Sequence, residues 1–235
     1  MEAIKHIFFD LDRTLWDFET NSEVALRILF DELKLDTIFP NFEMFHSTYR
    51  EKNANLWELY GKGKINKELL RVKRFEDTLG SFGNKEKQLA LSLAEGYVKI
   101  SPHQTALFPG TLDTLQSLKE NNFSMSIITN GFREVQEIKL KKSRLNHYFD
   151  HLLCSEDIGV NKPDPLIFLE ALNKNRITAD KAIMVGDDFL ADVIGAERVG
   201  IKGVLFDPNN HYSKRNNIAK IEKMDDLSPI IYGIG

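Results

Sequence analysis

One cysteine, Cys154, in 235 residues excludes an intramolecular disulfide and argues against a small, stapled, exported scaffold. Its plain reading is a small buried hydrophobe. Long apolar runs are missing as well: none approaches the ~20 residues that cross a bilayer. The first apolar stretch lasts only a few residues before it meets Asp10, so the pattern of a signal peptide is absent. The expectation is a soluble, cytoplasmic protein with no membrane partner. There is no charge excess either: 31 Lys plus Arg against 35 Asp plus Glu leave -4, which argues against a general nucleic-acid surface and still permits a small anionic ligand. No repeat or low-complexity tract occurs, and the six His residues lack metal-ligand spacing.

What is present is organised around Ile7 to Leu15, IFFDLDRTL. A short apolar run that stops at carboxylates reads as a buried parallel strand delivering Asp10 and Asp12 to the carboxyl edge of a sheet. At i and i+2 on extended chain the two side chains share one face. Like charges that close are costly unless a cation or proton sits between them, so the pair predicts a bound divalent metal.

After Leu15 the pattern changes. Thr20 with Glu23 suggests a capping box and a helix starting near Asn21. From there to about Pro102 apolar residues recur at i+3 and i+4, with turn signals at 39–41, 61–64 and 80–84, which predicts about four antiparallel helices. Alternation resumes after Phe108-Pro109-Gly110. Thr111 is the expected N-cap of the next helix, followed by strands at Met125–Thr129, Leu152–Leu153, Ala182–Val185 and Gly203–Phe206, with helices over Glu134–Lys142 and from Pro165. Strands alternating with helices predict an α/β fold, a Rossmann-like parallel sheet covered on both faces, formed by residues 1–16 and 106–235. Residues 17–105 are expected to form an inserted helical cap domain over the edge that carries Asp10.

Four stretches are expected to converge on that edge: Asp10 and Asp12, Thr129-Asn130-Gly131, Lys162 just beyond a strand, and Asp187 with Asp188 and Asp192. Several carboxylates, one ammonium, one hydroxyl and a Gly-bearing turn suit phosphoryl transfer, in which charge on the equatorial oxygens must be neutralised. Asp10 is the proposed nucleophile, and Asp12 the acid for the leaving alkoxide and then the base for water. Asp10, the backbone carbonyl of Asp12, and Asp187 are proposed Mg²⁺ ligands. Lys162 would neutralise nucleophile and phosphate, Thr129 would donate its hydroxyl to the phosphate, and Asp192 would orient Lys162 or a metal-bound water. Taken singly, each has a structural reading: aspartates capping a loop, Asn-Gly supplying a turn, a solvated lysine, Asp188 a mere neighbour. Trp16, Phe18 and Trp57, with Tyr60 and Phe45, are candidates for stacking on a substrate, although aromatics at helical spacing are commonly core.

Asp10-Leu11-Asp12-Arg13-Thr14, Thr129, Lys162, and Gly186-Asp187-Asp188 with Asp192 resemble, in order, the four motifs of a haloacid dehalogenase (HAD) superfamily phosphatase. Their spacing resembles that of members with a type 1 helical cap. Thr14-Leu15-Trp16-Asp17-Phe18 and Thr129-Asn130-Gly131 are similar to a bacterial branch of 5'-nucleotidases acting on pyrimidine and noncanonical nucleoside monophosphates. The resemblance implies a phosphomonoesterase acting on a small phosphorylated metabolite such as a nucleoside monophosphate. Phosphoglycolate or phosphosugar phosphatases would share the same core residues. A 2-haloacid dehalogenase would use the same first aspartate against carbon, but the resemblance implies a non-acidic residue where Asp12 stands. A non-catalytic phosphate-binding module would have no use for a nucleophile beside an acid.

Overall fold

The computed structural model describes residues 4–212 and 218–234. Strands β1 (His6–Phe9), β2 (Ser124–Thr129), β3 (His151–Cys154), β4 (Ala182–Gly186), β5 (Lys202–Phe206) and β6 (Lys220–Ile221) form one sheet in the order β3-β2-β1-β4-β5-β6. All five pairings are parallel. The helices are α1 (Phe18–Glu32), α2 (Phe42–Gly61), α3 (Lys67–Gly80), α4 (Lys87–Ile100), α5 (Thr111–Glu120), α6 (Arg133–Lys142), α7 (Ser155–Ile158), α8 (Pro165–Asn175), α9 (Gly195–Glu197) and α10 (Leu227–Ile234). No helix among the described residues is long and apolar enough to cross a membrane.

The chain divides into two compact units, Met1–Phe18 with Thr105–Gly235, and Glu19–Gln104. In the first, strand alternation sorts side chains to two covered faces. Ile7, Phe9, Met125, Ile127, Ile183 and Val185 pack with Leu115 and Leu118 of α5 and Leu140 of α6. Phe8, Ile128 and Met184 point the other way, onto Ile167 and Phe168 of α8. At roughly 1.5–3 kcal/mol per buried large apolar side chain, this double burial holds β1 at the centre of the sheet. The chain turns there from one side of β1 to the other, since β2 and β3 lie on one side and β4 and β5 on the other. The crevice at such a reversal is where open α/β sheets bind ligands.

The second unit consists of α1 to α4 around an aromatic core of Phe30, Phe39, Phe42, Phe45, Tyr49, Phe75 and Tyr97. Asn41 caps α2 by accepting from the Met44 N–H at 2.9 Å, and Asn66 caps α3 by accepting from the Leu69 N–H at 2.9 Å. Both offset orphan donors of a first turn.

Local expectations fail at several places. Helix α1 begins at Phe18, so Thr20 lies inside the first turn and not at its cap. Asp17, itself a cap-type residue, precedes it. The N-cap of α5 is Gly110, at φ 80°, and Thr111 is its first helical residue. A Cβ on Gly110 would come within 2.3 Å of Asp225 Oδ1, so both the backbone angle and the space call for glycine. Strand β6 and helix α10, which lie beyond the last expected strand, complete the sheet edge and one face.

His6, the first residue of β1, is 3% exposed, lies 4.5 Å centroid to centroid from Phe8, and its Nε2 has no hydrogen-bond partner. Burial pulls its pKa from the ordinary 6.5 to about 4, with Asp150 opposing. The neutral form is therefore the folded one, and the unfolded chain takes up the proton first as pH falls. Stability is expected to decline by roughly 3 kcal/mol between about pH 6.5 and 4 through this group alone. Chemical denaturation across that range should show a shallower decline for His6→Leu; parallel curves would refute the assignment.

Candidate active site

The edge loops carry the polar groups. Asp10 follows β1 and its N–H donates to the Val185 carbonyl at 2.9 Å, which locks it beside the end of β4. The next residues close a tight loop in which the Leu15 and Trp16 N–H groups donate to the Leu11 carbonyl at 3.0 and 2.9 Å, and the Arg13 N–H donates to the Trp16 carbonyl at 2.9 Å. Arg13 sits at φ 65°, a conformation costing a non-glycine residue roughly 1–2 kcal/mol. Its guanidinium lies 4.2 Å from the Phe18 ring centroid.

Lys162 is the hub. Its buried ammonium donates three hydrogen bonds, to Asp10 Oδ1 at 2.6 Å, Asp192 Oδ1 at 2.6 Å and the Ile128 carbonyl at 2.8 Å. All three N–H groups are thereby used. Its place differs from expectation: helix α7 intervenes between β3 and the loop that bears it. That short helix is held by the Asp157 carboxylate, which accepts from the Cys154 N–H at 3.0 Å and from Arg133. The backbone of Lys162 is held by the side chain of Asn130, whose Oδ1 accepts from the Lys162 N–H at 2.8 Å and whose Nδ2 donates to the Lys162 carbonyl at 3.1 Å. The Asn130 side-chain amide is thus occupied with placing the lysine.

Asp192 lies on a π-helical turn, Phe189–Ile194, and its Oδ2 accepts from the Asp188 N–H at 3.0 Å. Gly186 makes room for it, since a Cβ there would sit 2.2 Å from Asp192 Oδ2. Asp188 is exposed and turned to the same helical turn, where its Oδ1 caps the N–H groups of Leu190 and Ala191 at 2.8 Å each. Among the described residues Asp10, Asp187 and Asp192 form a carboxylate cluster with ligand atoms within 4.8 Å of one another. Thr14, which periodicity does not single out, places its hydroxyl 3.5 Å from Asp10 Oδ2 and 3.3 Å from Asp187 Oδ1.

Burial pushes the Asp10 carboxyl up to about 7, with Lys162 opposing and Asp192 and Asp12 adding to the rise. Burial and the neighbouring Asp10 and Asp192 charges raise Asp187 well above the usual range, and burial raises Asp192. Burial alone would lower Lys162, but the two aspartates outweigh it and hold the ammonium protonated. Three carboxylates lie together, and the one buried ammonium bonds two of them. The uncompensated charge, in a set of hard oxygen donors, fits a divalent cation.

Asp12 faces elsewhere. Its Oδ1 accepts from Lys139 Nζ at 2.5 Å and its Oδ2 from Gln136 Nε2 at 2.9 Å. Gln136 also donates to Thr129 Oγ1 at 2.8 Å, and the Gly131 N–H donates to the same oxygen at 3.0 Å. With both acceptor sites filled, the Thr129 hydroxyl hydrogen is left to donate. Gln136 and Lys139 were missed because each looks like an ordinary helix-surface residue. The signal that would have found them is their place on the buried stripe of α6, with Phe132 one turn before and Leu140 beside them.

The aromatic candidates separate. Trp16 is fully buried with Lys139 Nζ 4.2 Å from its ring centroid, and Phe45 is fully buried in the helical core, so neither offers a face to a substrate. Phe18 and Trp57 remain partly exposed, the latter edge-on to Tyr60 at 5.6 Å.

The site is thus a parallel sheet with acidic loops gathered at its reversal point, a buried lysine between two of the carboxylates and an oxygen-rich cluster beside them. The family of haloacid dehalogenase-like hydrolases matches residues 7–206, and the chain belongs to it. It is similar to the pyrimidine 5'-nucleotidase PynA of Streptococcus pneumoniae, 32% identical over 88% of this chain and 85% of that protein. A glyceraldehyde 3-phosphate phosphatase of Methanothermobacter thermautotrophicus is 27% identical over 97% and 98%. Among solved structures, the HAD-hydrolase YfnB of Bacillus subtilis bound to magnesium superposes with a TM-score of 0.87 at 25% identity, over 98% of this chain and all of that one.

Removing one partner of a buried ion pair leaves charge uncompensated and costs about 3–5 kcal/mol. Lys162→Met is therefore expected to lower the stability of the metal-free protein by that amount near pH 7. Urea denaturation measures it, and an unshifted midpoint would show that the lysine does not bridge Asp10 and Asp192.

Proposed function

We propose that the protein is a Mg²⁺-dependent phosphomonoesterase that hydrolyses a pyrimidine nucleoside 5'-monophosphate through a phosphorylated Asp10. The observation that carries the reading is the pair of aspartates held in two different environments. Asp10 is clamped against Lys162, while Asp12 is turned to Lys139 and Gln136. In such a site Asp10 attacks phosphorus along the line of the leaving oxygen, and Asp12 supplies the proton that the departing alkoxide requires. In the second half Asp12 accepts a proton from the attacking water. Lys162 and the Thr129 hydroxyl stabilise charge on the transferring group, and Asn130 and Asp192 keep Lys162 in place.

Asp10 and Asp187 have oxygens suited to Mg²⁺, whereas both Asp192 oxygens are taken by Lys162 and the Asp188 N–H. The ion would neutralise phosphate charge and offset the crowding of carboxylates. Halide displacement, the chemistry of the dehalogenase branch, has no need of an acid for its leaving group, and the presence of Asp12 weighs against it. The nucleotide substrate rests on similarity to PynA. Similarity to the glyceraldehyde 3-phosphate phosphatase supports a phosphosugar as the second reading.

Three measurements test this. A panel of UMP, dTMP, AMP, phosphoglycolate and hexose phosphates, run with Mg²⁺ and with EDTA, should show release of phosphate from the pyrimidine nucleotides only with metal. Asp10→Asn should abolish turnover while the circular dichroism spectrum stays unchanged. Preference for phosphoglycolate or sugars would replace the substrate, and full activity of the variant would place the nucleophile elsewhere. Independently of turnover, Mg²⁺ should raise the melting temperature of the wild type and fail to raise that of Asp187→Asn. An equal rise in both would remove Asp187 from the metal site.

A further inference from the structure

Resting on the phosphatase reading, we infer that Gln136 and Lys139 are positioning residues, which hold the Asp12 carboxyl group in one attitude while it gives its proton to the leaving oxygen and regains one from the attacking water. Both come from one face of α6, three residues apart, and each takes one oxygen of the same carboxylate. Asp12 is the more open of the two aspartates in the first loop: its side chain is 21% exposed against 10% for Asp10. An open carboxylate on a short side chain is free to rotate unless something fixes it.

The fixing groups are themselves immobilised. Lys139 is 4% exposed, its ammonium rests on the Trp16 ring, and among the described residues it pairs with no carboxylate other than Asp12. Trp16 is fully buried and tied through its N–H to Leu11, on the same loop that carries Asp12. Gln136 is fully buried, and Gly131 lies so close that a Cβ there would come within 2.1 Å of Gln136 Nε2. An ionised Asp12 favours the amide orientation with Nε2 toward it. Turned over, Oε1 would point at the Asp12 carboxylate and the Gly131–Thr129 turn would lose a donor. In the observed orientation both Nε2 hydrogens are used, on Asp12 and Thr129, and Oε1 is buried with no partner. A fold selected only for stability has little reason to bury an unpaired acceptor. Here that acceptor accompanies an arrangement in which one amide ties the proton-transfer residue to the residue expected to hold phosphate.

The test compares two leaving groups. From UMP the nucleoside departs as an alkoxide that needs a proton, whereas p-nitrophenyl phosphate releases an anion that is stable without one. Because kcat/KM covers the steps through leaving-group departure, Lys139→Met is expected to lower it about 100-fold on UMP and less than about tenfold on p-nitrophenyl phosphate. Lys139→Arg should recover part of the UMP loss. In an Asp12→Asn background Lys139→Met should add no further discrimination between the two esters. Gln136→Met should show the same selective loss to a smaller degree, and it carries the comparison if Lys139→Met fails to fold by circular dichroism. Equal losses on both esters in the folded variants would reduce Gln136 and Lys139 to structural residues and overturn the inference. A wild-type protein inert on both esters would overturn the phosphatase reading itself.

Discussion

The site depends on burying an ammonium between two carboxylates. Lys162 sits within 2.6 Å of both Asp10 and Asp192 with almost no access to water, and its third hydrogen goes to the Ile128 carbonyl of β2. Such a triad repays its desolvation only when every donor is matched, and matching requires the ends of β1, β2 and β4 and the loop before α8 to be in register together. The parallel sheet supplies that register. The chemistry is therefore a property of strand order, and the large apolar residues on both faces of β1 serve the site as much as the fold.

The same arrangement separates two residues of one chemical type. Asp10 and Asp12 are two apart in sequence, yet one faces Lys162 and the other faces α6. The turn that separates them is stabilised by backbone bonds from Leu15 and Trp16 to the Leu11 carbonyl, and it takes Arg13 into the left-handed region. Two carboxylates with opposed neighbours give one loop the two different groups that the proposed reaction calls for, one to attack and one to handle the proton.

Much of this was legible in the primary structure because strand ends are marked by abrupt changes of polarity. Ile7–Phe9 before Asp10, and Ala182–Val185 before Gly186-Asp187, each announce a buried strand that ends at a carboxylate. Less legible were residues whose role depends on a partner far along the chain. Asn130 looked like a turn residue with a phosphate to bind, but its amide clasps the backbone of Lys162, 32 positions away. Lys139 looked like one of several lysines on a polar helix, and only its burial under Trp16 sets it apart from Lys141 and Lys142, which are exposed. Trp16 itself illustrates the opposite error: adjacency to the first motif suggested contact with a ligand, whereas the ring is structural packing. Periodicity reports which face is buried, not which polar group is buried with it.

The chain leaves the α/β unit after Phe18 and re-enters it at Thr105, and just inside those limits Trp16 and Leu107 form an antiparallel bridge flanked by the Asp17 N–H to Ala106 carbonyl and Phe108 N–H to Leu15 carbonyl bonds. The two ends of the excursion are thus stitched together within the unit that carries the catalytic candidates. Closing a longer or shorter excursion between ends already fastened costs little, since closure entropy grows only with the logarithm of length. Evolution can exchange, extend or recontour the intervening helices with slight penalty to the α/β unit, so the two parts of the chain are free to diversify at different speeds.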